Sequence, residues 1–199
     1  MNIGIDIDDT ISETFESLIP YSQKYTIEDL KRKSNISLSG DLLDHFYIVH
    51  VNGWTEQEAI VFWEKYYPEI LRNLNIKKFS ADVIKKLKEQ GHKIYIITAR
   101  WDMRADNVKE ITKQWLEQNN VEYDELITNA SEKWKIAQEK NIDIFIDDSF
   151  KNCKSIADNT NAKVYLMNTK INEKLSDEKI KRVYSWPEVY SLVSQEEEN

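Results

Sequence analysis

Glycine is scarce in this chain of 199 residues, with only Gly4, Gly40, Gly53 and Gly91. No two are spaced for a G-x-G-x-x-G or G-x-x-x-x-G-K loop, so dinucleotide and P-loop phosphate motifs are excluded. Cys153 is the one cysteine, which excludes an intrachain disulfide and a cysteine-rich zinc site. Three histidines, His45, His50 and His92, leave little room for a histidine metal cluster. No apolar run approaches the ~18 residues that a membrane-spanning helix needs. The N-terminus has no basic region and no small-residue cleavage site. With the lone thiol, this points to the cytoplasm and to no membrane partner. Basic charge is also short, with 27 Lys and Arg against 35 Asp and Glu and a net charge of -8. Binders of nucleic-acid polymers normally carry a basic surplus, so that partner is disfavoured.

What is present is a globular mixture, 41% hydrophobic and 11% aromatic. The length suits one domain or a domain with a large insertion. Residues 2–8 alternate Ile with polar residues and read as a strand with an acidic end. A long helical stretch follows. Thr26 with Asp29 and Thr55 with Glu58 have capping-box spacing, and the second opens an amphipathic run from Ala59 to Leu74. Ser80 starts a helix that Gly91 ends. From there strands at 93–98, 123–128, 142–147 and 163–167 alternate with helices at 108–116, 131–140 and 150–158. Ser185 with Glu188 opens a C-terminal helix, and the tail from Gln195 to Asn199 is expected to fray. Such alternation predicts an α/β fold with a mostly parallel sheet. The stretch from about 14 to 78 has no strand and reads as an inserted helical unit.

Chemistry concentrates at Asp6-Ile7-Asp8-Asp9-Thr10, at the end of the first strand. In open α/β sheets ligands sit beyond the carboxyl ends of the strands. Asp6 and Asp8 are expected on one strand face, where two carboxylates need a cation or a shared proton. A second acidic pair, Asp147-Asp148, ends the 142–147 strand. If the two strands are neighbours, four or five carboxylates converge, a donor set that suits Mg²⁺. Aspartates at strand ends also start turns and cap helices, and one pair alone would not outweigh that. Thr98 ends another strand, where its hydroxyl and the amide of Ala99 can hold a phosphate oxygen. Lys133, in the first turn of the helix before Asp147, can supply a fixed cation.

The ordered set Asp6-x-Asp8-x-Thr10, Thr98, Lys133 and Asp147-Asp148 resembles the four motifs of the haloacid dehalogenase (HAD) superfamily of phosphohydrolases. Ile97-Thr98-Ala99-Arg100, Ile144-Phe145-Ile146-Asp147-Asp148-Ser149 and Arg182-Val183-Tyr184-Ser185-Trp186 resemble the 5'(3')-deoxyribonucleotidase type C family and its bacterial relatives. The resemblance implies a HAD-like (Rossmannoid) core, 1–13 and 79–199, with a C1-type helical cap, 14–78. It implies Asp6 as nucleophile, Asp8 as general acid/base, and Thr98, Ala99 and Lys133 as the phosphate site. It also implies Mg²⁺ on Asp6, the Asp8 backbone carbonyl and Asp148. Asp147 stands where the family has glycine, so Asp147 competes with Asp148 as ligand, and Lys135 competes with Lys133. Asp8 is expected to have its pKa raised by Asp6 and Asp9.

The implied activity is a Mg²⁺-dependent phosphomonoesterase, a nucleotidase working through an aspartyl-phosphate. Another small phosphomonoester, such as a sugar phosphate, is the alternative substrate. A receiver-like phosphorylation switch fits less well, because both aspartates of the first motif share a strand and the cap has no role there. Of the cap aromatics Phe46, Tyr47, Trp54, Phe62, Trp63, Tyr66 and Tyr67, most are expected in the core and one or two at the ligand. A homodimer is compatible with the sequence.

Overall fold

β1 (Asn2–Ile5) is built from residues that tolerate burial on both sides. Ile3 and Ile5 are fully buried, and Gly4 lets the Phe145 ring of the next strand lie directly over the backbone. Near-continuous apolar strands of this kind belong inside parallel sheets covered by helices. In the computed structural model, which describes residues 1–36, 47–100 and 107–197, β1 pairs on both edges. It is joined by β2 (Lys93–Ile97), β3 (Glu125–Ile127), β4 (Ile144–Asp147), β5 (Lys163–Met167) and β6 (Ile180–Val183). The sheet is parallel throughout, in the order β3-β2-β1-β4-β5-β6. β1 and β4 are therefore adjacent, with Ile5 opposite Ile146, and both acidic strand ends open on one edge.

The first strand is shorter than its alternation predicts. The ladder ends with Asp6 N–H donating to Ile146 O, and the amides of Thr10, Ile11 and Ser12 then all turn back to Ile7 O. Asp9 adopts a left-handed φ of 54° to make that turn. The chain then enters α1 (Thr14–Lys24), a π-helical turn (Tyr25–Asp29), α2 (Tyr47–Asn52) and α3 (Glu56–Arg72). No strand occurs among the described residues between Thr14 and Leu74. The chain leaves and returns side by side: Ser12 bridges Ile76, and Glu13 N–H donates to Asn75 O.

One of the two early capping boxes forms. The Thr55 side chain accepts from Glu58 N–H while the Glu58 carboxylate accepts from Thr55 N–H. Thr26 does not start a helix, because α1 runs on through the π-turn and leaves no free amides to cap. Its hydroxyl donates to Ser22 O and accepts from Trp54 Nε1 instead, and Asp29 takes Lys65 and Tyr66. Tyr47, Trp54, Phe62 and Tyr66 are buried, Trp63 and Tyr67 are half-buried, and Phe46 lies outside the described residues.

Covering helices are α4 (Ser80–Glu89), α5 (Val108–Gln118), α6 (Lys133–Glu139), α7 (Phe150–Asn159) and α8 (Trp186–Glu197). β6 was not anticipated; it is an edge strand whose exposed residue, Lys181, is charged, which blunts pairing with other chains. α8 continues to Glu197, past the point where fraying was expected, and Glu196 pairs with Lys163. No described helix is long and apolar enough to cross a membrane.

Candidate active site

Asp6, Asp147 and Asp148 meet where β1 and β4 end. One carboxylate oxygen from each lies within 4.8 Å of the others. Lys133, the first residue of α6, reaches across with Nζ 2.5 Å from Asp6 Oδ1 and 2.7 Å from Asp147 Oδ2. It is almost wholly buried, whereas Lys135, the alternative that spacing left open, is exposed and pairs with Glu132. Asp147 is the most engaged of the three. Besides Lys133, it accepts from Ser149 N–H at 2.8 Å and Asn152 Nδ2 at 3.3 Å. The Asp148 carboxylate receives no hydrogen bond or ion pair from the described residues, although Asp148 is only 7% exposed.

Electrostatics follow from this placement. Burial, reinforced by the charges of Asp147 and Asp8, pushes Asp6 up to about 7 against the pull of Lys133. Burial and the charges of Asp147 and Asp6 hold Asp148 well above the ordinary carboxylate range. Burial alone would lower Lys133, but Asp147 and Asp6 outweigh it and raise the ammonium. Three carboxylates against one ammonium leave the cluster short of positive charge.

Asp8 behaves differently from its sequence expectation. It lies in the turn, not on a strand face with Asp6, and its carboxylate has its own hydrogen-bond partners. Arg100 donates to it through Nε at 3.0 Å and Nη2 at 2.7 Å, and Thr14 donates at 2.8 Å. Burial raises its pKa, but the Arg100 charge and these hydrogen bonds prevail, so Asp8 is lowered rather than raised. Asp9 is the neighbour that rises, to about 7, chiefly through burial. The Asp8 carbonyl accepts no hydrogen bond from the described residues, and so stays available.

Thr98, just beyond β2, is fully buried and its hydroxyl accepts from Arg100 N–H at 3.3 Å; Ala99 beside it is exposed. Arg100 is the residue whose role spacing missed. It is 3% exposed, is also held by Thr112, and lies over the Trp115 ring. Its partner Asp8 is 92 residues away, beyond the reach of any local pattern. The available signal was chemical: an arginine beside an acidic strand end requires an anion when buried.

The family model for 5' nucleotidase, deoxy (pyrimidine), cytosolic type C protein matches residues 1–197. The chain belongs to that family. Among curated relatives of this nucleotidase family, a nucleotidase of Clostridium acetobutylicum is 29% identical, over 97% of this chain and 93% of its own. Solved structures agree on the fold. A predicted phosphatase from Clostridium acetobutylicum superposes with a TM-score of 0.67 at 14% identity, covering 98% of each chain. The protein YfnB of Bacillus subtilis, solved bound to magnesium, gives 0.61 at 16% identity, covering 96% of this chain and 97% of its own. This nucleotidase-family chain is accordingly a HAD-fold phosphoric monoester hydrolase, and the receiver-like alternative falls.

Proposed function

We propose that the chain is a Mg²⁺-dependent phosphomonoesterase for nucleoside monophosphates, with Asp6 as the nucleophile. The observation that carries this reading is the buried trio Asp6, Asp147 and Asp148 with a single lysine among them. An all-oxygen donor set with uncompensated charge fits a hard divalent cation. Asp147 is already committed to Lys133, Ser149 and Asn152, so Asp6, Asp148 and the free Asp8 carbonyl are the residues that would hold it. Mg²⁺ bound there supplies charge neutralisation for the phosphate oxygens, which phosphoryl transfer mainly requires.

The chain's own groups do the rest. Thr98, the Ala99 amide and Lys133 orient the phosphate. Asp6 Oδ attacks phosphorus in line, and the ester oxygen departs with a proton from Asp8. Asp8 then accepts a proton from water, which attacks the phospho-Asp6 and frees inorganic phosphate. Asp8 paired with Arg100 is in the form suited to the second step. The first step needs it protonated, so substrate binding has to bring that proton or loosen the Arg100 pair.

Segment 14–78 acts as the cap, and residues 1–13 and 79–199 as the catalytic core. The antiparallel bridge between Ser12 and Ile76, where the chain leaves and returns, supports that division. A cavity of about 410 Å³ between α1 and the loop after β5 is lined by Phe15, Asp9, Lys77 and Thr169, among others. An aromatic beside the acidic turn suits a nucleoside. The cytoplasm is the corresponding site of action, in keeping with one buried thiol.

The test is phosphate release from a panel of nucleoside monophosphates and sugar phosphates, with Mg²⁺ or excess EDTA. Nucleotides should lead the panel and EDTA should abolish turnover. Sugar phosphates ahead of every nucleotide would overturn the substrate assignment, and full turnover in EDTA would overturn the metal.

A further inference from the structure

The three site carboxylates are secured by different means. Asp6 and Asp147 are held at their side chains by Lys133, and Asp147 also by Ser149 and Asn152. Asp148 has no such hold among the described residues. Its backbone is held instead, where its carbonyl accepts from Asn172 Nδ2 at 2.7 Å.

Asn172 lies 24 residues further on, beyond β5, and is 2% exposed. The same Nδ2 donates to Met167 O at 2.8 Å. On its other side, Oδ1 accepts from Arg182 Nη1 at 2.7 Å and from Thr169 N–H at 3.1 Å. Every hydrogen-bonding group of this carboxamide is therefore engaged. Because a guanidinium can only donate, Arg182 fixes which end of the amide faces Asp148. Arg182, on β6, also holds Asn168 Oδ1 at 2.9 Å and Asn172 O at 3.0 Å. The ends of β4, β5 and β6 are tied in one polar knot around the buried Asn172, and the Asp148 carbonyl is one of its acceptors.

We infer that Asn172 is a positioning residue for the hydrolase, setting where the Asp148 carboxylate stands in the cation site, with Arg182 fixing the carboxamide. This rests on the proposed reading of Asp148 as a cation ligand. A carboxylate without side-chain partners goes where its backbone puts it, and the carbonyl of that backbone is held by the Asn172 amide. Partners outside the ligand set typically shift metal affinity by roughly 10–100-fold when removed.

The experiment is Mg²⁺ titration by calorimetry on the full chain without substrate, beside melting temperatures in EDTA. Variants are Asp148→Asn, Asn172→Ala, Arg182→Lys and, as a control, Asn52→Ala. Asn52 is a buried carboxamide in α2, bonded to Ile48 O and remote in sequence from the cluster. Asn172→Ala should weaken Mg²⁺ binding roughly 10–100-fold, and raise the half-saturating Mg²⁺ for turnover in parallel. The nucleotide KM at saturating Mg²⁺ should stay near wild type. Arg182→Lys should weaken Mg²⁺ less, because it keeps the charge and loses the fork. Asn52→Ala should lower the melting temperature with Mg²⁺ affinity unchanged. If Asn172→Ala binds Mg²⁺ as wild type does, the inference is overturned; should that variant not fold, the same result with Arg182→Lys overturns it. Undiminished binding by Asp148→Asn would instead overturn the ligand assignment beneath it.

Discussion

Asp6 and Asp8 are two residues apart yet bond to different cations, Lys133 and Arg100, and their variants should differ accordingly. Asp6→Asn should abolish turnover and form no phosphoenzyme, since an amide does not accept the phosphoryl group. Asp8→Asn leaves its carbonyl in place, so Mg²⁺ and substrate binding should survive while hydrolysis slows by roughly 10²–10⁴-fold. p-Nitrophenyl phosphate, with its better leaving group, should recover part of the loss, with a pre-steady-state burst if the second step limits. Wild-type turnover of a nucleotide by Asp8→Asn would refute its role. The variant should also lose about 1–3 kcal/mol of stability, because Arg100 is left buried without its anion. Asp9 gives a pH signature. Its folded pKa of about 7 exceeds the ordinary 3.8, so the stability it contributes is present below 3.8 and lost as pH rises through 7. Asp9→Asn cannot ionise and suits the left-handed turn. Its stability relative to wild type, in EDTA, should therefore improve by about 1–2 kcal/mol between pH 5 and pH 8. A pH-independent difference would show that Asp9 is not raised.

At the scale of elements, the strands that position the site were legible because each carries its own pattern. Isoleucine runs mark β1 and β4, and Gly91, with φ 89°, ends the turn after α4 as its position suggests. What was not legible depends on remote partners. β6 carries Lys181 and Arg182 on an edge, so it lacks the apolar signature of a buried strand. The Thr26 cap failed because a local spacing rule does not register that the helix before it continues. Gly4 is legible only once its neighbour is known: a Cβ there would lie 2.7 Å from Phe145 Cδ2. Gly4→Ala should cost about 1–3 kcal/mol in denaturant unfolding. The cost should shrink in a Phe145→Leu background; an equal cost in both would place the strain elsewhere.

For the whole molecule, a net charge of -8 should bear on substrate choice as well as on solubility. A mononucleotide would bring its charge directly into the proposed cation site, whereas a polymer would drag phosphates across an acidic surface. A 5'-phosphorylated oligonucleotide should be dephosphorylated far more slowly than the matching mononucleotide at low salt. Comparable rates would point to a basic path across the surface. The sequence conveyed the charge balance and the order of motifs; it could not convey that Asp8, Thr14 and Arg100 link the start of α1 to the core.

Trp186 Nε1 donates to Thr10 O at 3.0 Å, with the indole 1% exposed. The turn that carries Asp8 and Asp9 is thus braced by a residue translated 176 positions later. A chain emerging from the ribosome builds its N-terminal part first. Here that part holds Asp6 and Asp8, the proposed nucleophile and acid/base, but not the brace of their turn, so the nascent chain should stay silent until α8 has cleared the exit tunnel.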